Sequence, residues 1–183
     1  MGMGGERPVG ATPGSLQERM LRAAKLDPEL YEEVEADPDT MGQAVTVVVL
    51  SALAAGVANF GEGGLVGVGL GIVAALVGWY VWALLTYLIG TRLLPEPQTR
   101  ADHGELLRTL GFASAPGVLR VFGIVPGLQA PVILVTGIWM LVAGIVAVRQ
   151  ALDYTSTARA VGVCAIGWLV QGLLIFTVVA LMM

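Results

Sequence analysis

The sequence predicts an all-α, polytopic integral membrane protein, and three observations carry that reading. Apolar residues make up 56% of the 183-residue chain and charged residues only 13%, against about a quarter in an ordinary globular protein. Charge is concentrated at the front: residues 1–41 hold nine acids and four bases, and the remainder holds five acids and six bases. Four stretches, 42–61, 63–91, 121–148 and 160–183, contain no Asp, Glu, Lys, Arg or His. Each reaches the roughly 20 residues that cross a hydrocarbon core. Hydrocarbon offers bare backbone groups no partner, so each should be helical. The same composition excludes other classes. No basic patch exists for nucleic acid, and the single Cys164 has no disulfide partner within the chain.

Residues 1–13 are Gly- and Pro-rich and read as a disordered tail. Residues 14–40 form a cytoplasmic helical head. Ser15 and Glu18 have capping-box spacing, which starts a helix running from Leu16 to about Leu26. Arg19, Arg22 and Lys25 recur every three residues beside Leu16, Met20, Ala23 and Leu26. Such a helix suits either an anionic membrane surface or a solvated position packed on the cytoplasmic loops. Asp27-Pro28 and Asp37-Pro38 are both cap-plus-proline starts. The first opens an acidic helix over 28–36, either a dock for a basic partner or a solvated face. The second begins the first span, with Gln43 still in the interface. No signal peptide precedes that span, which reads as an uncleaved insertion signal.

Residues 41–183 form the membrane domain. Segment 106–124 has spanning length but contains Arg108, Arg120 and Pro116. The arginines lie 12 residues apart, about 18 Å along a helix, so both can snorkel to opposite faces. Loop charge favours a crossing. With the N-terminus inside and five spans, nine of the ten basic residues fall on the cytoplasmic side, in line with the positive-inside rule. Without that crossing the division is eight to two. The alternative is a re-entrant third segment. Five spans put the N-terminus, Arg100 and Tyr154 inside, and Glu62 and Met183 outside. Pro116 should break the third span. The carbonyl freed near Phe112 must then find a partner, with Ser114, Asn59 or Gln171 as candidates.

Gly63, Gly67, Gly71 and Ala75 make a small-residue face on the second span, of the kind that lets helices approach closely. Ala143, Ala147 and Ala151 repeat the pattern on the fourth span, and Ser51, Ala55 and Asn59 on the first. Whether these faces meet within one chain or between copies is open. Trp79, Tyr80, Trp139 and Trp168 fall inside spans, away from an interfacial belt. They read as interior residues whose N–H groups need partners such as Thr86, Thr136, Asn59 or Gln171, or as the lining of a pocket for an apolar ligand. His103, between Asp102 and Glu105, is a solvated loop histidine or a weak metal ligand. No metal or cofactor is assigned. No span holds a carboxylate, which excludes an acidic proton relay.

The third segment carries a family resemblance. Its pattern Glu105-Leu-Leu-Arg108, then Leu110-Gly-Phe-Ala-Ser-Ala-Pro-Gly117, is followed by the turn Ile124-Val-Pro126-Gly-Leu128 and by Arg149-Gln-Ala-Leu152. With five spans behind an acidic head, it resembles the Yip (Ypt-interacting protein) family in its prokaryotic branch, over about residues 41–183. Gly111 and Pro116 match that family's glycine-tyrosine-to-proline motif, and Phe112 stands in place of the tyrosine. The head motif of eukaryotic members has no counterpart beyond a superficial Leu30-Tyr31. The resemblance implies the five-span fold and a membrane location. In eukaryotic members it implies Rab-type GTPase binding and vesicle traffic. Without the head motif, GTPase binding is not carried to this chain. One lysine against nine arginines suggests a GC-rich prokaryote, and hence a multi-pass protein of the plasma membrane.

The expected function is non-enzymatic: organising the bilayer or partner proteins, as a homo-oligomer or with other membrane proteins. The alternative is a small transporter or channel whose site lies at the broken third span, with Arg108 and Arg120 facing an anionic substrate.

Overall fold

The computed structural model describes residues 14–182. The tail at 1–13 and the placement of Met183 lie outside the described residues, as does the Glu62 side chain. Seven α-helices account for most of the fold, with no strand among the described residues. Helix α1 spans Leu16–Ala24 and α2 spans Pro28–Ala36. The Ser15 hydroxyl accepts the Glu18 N–H at 3.2 Å, and the Asp27 carboxylate accepts the Glu29 N–H at 3.2 Å. These are the caps that the sequence specifies. Leu26, at φ +62°, turns the chain between the two helices. A 3-10 turn at Pro38–Thr40 leads into α3, Met41–Ala58.

Helix α4, Phe60–Leu88, follows almost without a loop, so the outer loop expected around Glu62 is helical. It is broken at Gly64, whose φ of +55° only glycine adopts freely. A π turn at Ile89–Leu93 ends it. Helix α5, His103–Ala113, starts with a complete capping box between Asp102 and Glu105. A 3-10 run, Ala115–Ile124, continues it. Helices α6, Gln129–Ala151, and α7, Thr157–Met182, complete the chain.

Four helical segments are long and apolar enough to cross a membrane: Pro38–Ala58, Gly63–Leu93, Gln129–Ala151 and Thr157–Leu174. The third segment is not one of them. Pro116 cannot donate into an α-helical ladder, and the chain converts to the narrower 3-10 form around it. An 11-residue α-helix followed by a 10-residue 3-10 run still extends about 35 Å. It runs the length of the bundle. His103 lies beside Tyr87 at one end, and Gly123 lies beside Ala58 and Gln129 at the other. At the first end the Tyr154 hydroxyl donates to Gly90 O and Leu94 O, at 3.0 and 2.8 Å. At the second, Gln129 Nε2 donates to Asn59 Oδ1 at 2.7 Å.

The close seam of the bundle joins α3 to this segment. An added Cβ at Gly111 would stand 2.7 Å from Ala44 Cβ and 3.2 Å from its Cα and carbonyl oxygen. At Gly117 it would overlap the Ser51 hydroxyl, and at Gly123 it would come within 3.2 Å of Ala58 Cβ. The α3 partners are seven residues apart, about 10.5 Å of α-helix. The glycines are six apart, about 9–12 Å across mixed α and 3-10 geometry. The two rows therefore stay in register. The Gly63, Gly67 and Gly71 face makes no comparable contact within the chain: nothing stands within 4 Å of an added Cβ at any of the three. On α4 the close approach is made instead by Val68, which meets Gly56 of α3.

Gly111→Val should therefore cost about 1–3 kcal/mol by overpacking against the α3 backbone. Ala44→Gly should restore part of the loss, while Gly67→Val should leave the melting temperature close to that of the parent. Thermal unfolding in detergent reads all three, and an additive double variant would show that the seam is not where the clash arises.

Candidate functional site

The sequence signals converge on the third segment, and two of three notable structures are built on it. The first is the clasp that holds the head. Arg108 is 7% exposed, yet among the described residues no carboxylate lies within ion-pair distance. Its Nε donates to Val34 O at 2.8 Å, and its Nη2 donates to Glu35 O. Those carbonyls belong to the last turn of α2, which has no intrahelical donors left for them. The guanidinium thus satisfies both orphan acceptors and meets the negative end of the helix dipole. Arg108 is in this way a fastening for the head and does not face a substrate. Tyr31 and Leu30 are fully buried beneath it, and the Tyr31 hydroxyl donates to Ala23 O at 3.2 Å.

The basic residues of α1 are turned inward. Arg19 is 3% exposed and donates to Glu33 at 2.8 Å and to Gln43 Oε1 at 3.0 Å. Arg22 binds Asp27 and the second oxygen of Glu33, both at 2.7 Å. The membrane-surface reading of this helix is thereby corrected. Of its three bases, two are committed to carboxylates of α2 and its cap. Burial pushes the Glu33 carboxyl up, but the two guanidiniums outweigh it and hold it below its ordinary value. The head also reaches deep into the bundle. Trp139, near the middle of α6, donates its indole N–H to Ala24 O at 2.7 Å.

The second structure is a clasp between two loops that the sequence reading missed. Glu96 lies between Pro95 and Pro97 and is buried. It accepts from the N–H groups of Thr155 and Ser156 at 3.0 and 3.3 Å, from Thr155 Oγ1 at 2.8 Å, and from Gln98 Nε2 at 2.6 Å. The backbone N–H and hydroxyl of Thr155 pull its carboxyl down to about 2. The carboxylate so placed precedes the N-terminus of α7, where negative charge is favoured. The available signal was an acid held between two prolines, opposite the Thr155-Ser156-Thr157 run. Glu35 is shifted the other way. Burial, reinforced by Glu105, Asp153 and Glu32, raises it to about 8.

The third structure is a cleft. A cavity of about 570 Å³ lies among α3 to α7, walled by Trp79, Trp82, Met140, Leu141 and Trp168. Ser51, Ser114, Gln171 and Arg120 add polar groups to its lining. A second cavity of about 460 Å³, between α3 and the glycine face Gly63, Gly67, Gly71 and Ala75, also reaches Arg120. The Arg120 Nε donates to Thr136 Oγ1 at a long 3.4 Å. Its guanidinium is the charged group common to both cavities.

Other expected partners differ. The helix break at Phe112–Pro116 is closed locally: the Ser114 N–H reaches Gly111 O at 3.1 Å, and its hydroxyl reaches Leu110 O at 3.3 Å. Asn59 is not used there, since it joins α3 to α6 through Gln129. Gln171 faces the cleft. Phe112, Pro116 and Gly111 are buried packing residues. Trp79 donates to Leu107 O at 3.1 Å, whereas the hydroxyls of Thr86 and Thr136 bond within their own helices. Trp168 is 65% exposed and Tyr80 is also exposed, so neither is an interior residue. His103 is not a solvated loop residue. It opens α5, its ring stacks edge-on against Tyr80 at 4.9 Å, and both ring nitrogens are buried without a hydrogen-bond partner. Among the described residues no cluster of three His, Cys, Asp or Glu side chains is placed to hold a metal.

Comparison with known families finds one match: the family model described as the Yip1 domain covers residues 26–179. It reaches farther into the head than the motif resemblance and takes in all of α2. No curated protein and no solved structure matches the chain.

Replacing Arg108 by Gln should cost about 2–3 kcal/mol, the worth of charged hydrogen bonds to carbonyls left unpaired. It should free the head, so that trypsin cuts at Arg22 and Lys25 much faster than in the parent. Unchanged cutting would show that Arg108 does not hold α2. Stability should also depend on pH in two windows. Glu96, lowered to about 2, stabilises fully above its unfolded value and loses that contribution as pH falls toward 2. Glu35, raised to about 8, favours the folded state below its unfolded value, and that contribution is lost as pH climbs to 8. Glu35→Gln should flatten the fall in melting temperature on the alkaline side and leave the acid limb intact.

Proposed function

The chain belongs to the Yip1 domain family, and on that premise we propose that this multi-pass membrane protein is a non-enzymatic organiser of the bilayer or of partner membrane proteins. The observation that carries the reading is the open glycine row of α4, which borders the second cavity beside α3. Gly63, Gly67 and Gly71 are exposed and unfilled, while Leu65, 79% exposed, and Val66 and Leu70 stand beside them. A small-residue row invites close helix approach in lipid. A row left open by its own chain suits a second copy or another membrane helix.

The same proposal includes topology. Arg92, Arg100, Arg149 and Arg159 share the end of the bundle that carries the head, and the positive-inside rule assigns that end to the cytoplasm. The third segment is long enough to make a fifth crossing, which puts the 125–128 turn and the C-terminus outside. The arginine-rich composition supports a prokaryotic plasma membrane. A second reading, a small transporter, is favoured by one observation: the cleft meets a cationic side chain on a broken segment, the arrangement from which transporters build sites.

Energy transfer between donor- and acceptor-labelled copies in liposomes should fall with Gly67→Leu or Gly71→Leu and stay unchanged with Val66→Leu. If no copy-to-copy transfer occurs and no partner co-purifies, the organiser reading fails. Anion flux into protein-bearing liposomes would support the transporter instead. In a Cys164-free background, cysteines at Arg100 and Gly127 should label from opposite sides; labelling from one side would exclude the fifth crossing.

A further inference from the structure

We propose that the α3–α7 cleft is a binding site for one anionic phospholipid, its phosphate on Arg120 and one acyl chain along the aromatic wall. The cleft holds about 570 Å³, within the roughly 300–1,000 Å³ of ligand pockets. Its lining combines aromatic and aliphatic side chains with a few polar groups. Trp79, Trp82, Met140 and Leu141 give it an apolar wall, and Trp168 and Leu141 are exposed, so the cleft is open to the side. A ligand delivered from the bilayer can therefore enter without passing through water.

Arg120 is the charged residue of that lining. Arg120 makes one long hydrogen bond through Nε. Among the described residues no carboxylate lies within ion-pair distance of it. Its two terminal nitrogens are thus the donors left to face the cavities. A guanidinium fork pairs with phosphate oxygens through two parallel N–H bonds. In surroundings this apolar, an uncompensated cation is costly, and an anionic headgroup relieves that cost. Ser51, Ser114 and Gln171 also line the cavity and offer polar groups to glycerol and ester oxygens. Arg108 contrasts with Arg120 on the same segment: its nitrogens are spent on α2 carbonyls, and it takes no part.

The site reports on itself, because three of the four tryptophans line it. The protein is reconstituted with Trp168→Phe, which removes the exposed indole, and titrated with phosphatidylglycerol brominated on its acyl chains or with brominated phosphatidylcholine. Quenching should saturate at a severalfold lower mole fraction of the anionic lipid. Arg120→Gln should abolish that preference, and Arg120→Lys should retain part of it. Gly137→Leu, at a position where an added Cβ meets nothing within 4 Å, should fill the cavity and reduce quenching by both lipids while the fold is kept. Equal quenching by the two lipids, or a preference that survives Arg120→Gln in folded protein, overturns the proposal. Displacement by millimolar inorganic phosphate also overturns it, since the ligand would then be a soluble anion. The copy-to-copy transfer assay is independent of these readings, so either can fail alone.

Discussion

The fold depends on one buried guanidinium. Arg108 carries a charge into a nearly closed interior, where an unpartnered cation would cost several kcal/mol. It is tolerable because α2 ends there with two carbonyls that lack intrahelical donors, Glu35 O and Val34 O, the latter also accepting from the Thr40 hydroxyl at 3.1 Å. Neither group is stable without the other. α2 needs the arginine to finish, and the arginine needs the end of α2. Once joined, they fix the head against α5. That in turn sets the depth at which Gly111, Gly117 and Gly123 meet Ala44, Ser51 and Ala58.

Much of this was legible in the sequence, and the legible parts share a cause. The starts of α1 and α2, the four long apolar helices and the break at Pro116 are local. Each is fixed by a cap, a run of uncharged residues or a missing N–H within a few positions. What escaped is long-range. The glycine seam was hidden because its six-residue spacing belongs to a helix that changes form midway, and a fixed helical period does not select it. The Gly63, Gly67, Gly71 row was easier to see, being strictly periodic, yet within the chain it packs against nothing. Periodicity reports which residues share a face and is silent on what that face meets.

Charged residues show the same division. Arg19, Arg22 and Lys25 have the spacing of a membrane-surface helix, but two of them find carboxylates on α2. Nothing local to α1 announces that. Arg108 and Arg120 looked alike, two cations flanking a proline. Their environments separate them, because one faces a helix terminus and the other an open cleft. Glu96 was overlooked because its partners Thr155 and Ser156 lie about 60 positions away.

The head is made long before the partners that hold it. Its contacts run to Arg108, 73 and 74 positions later, to Trp139, 115 positions later, and to Gln150, 118 positions later. At synthesis rates of about 5–20 residues per second, α1 and α2 wait on the order of 6–24 s for their last partners. During that interval Leu30, Tyr31 and Val34 have no bundle to enter. The ion pairs among Arg19, Arg22, Asp27 and Glu33 are internal to the head and its immediate neighbourhood, so they form without the spans. A nascent hairpin can therefore hold its shape through electrostatics while its apolar side stays uncovered. Membrane insertion of the early spans and docking of the head become separate events in time.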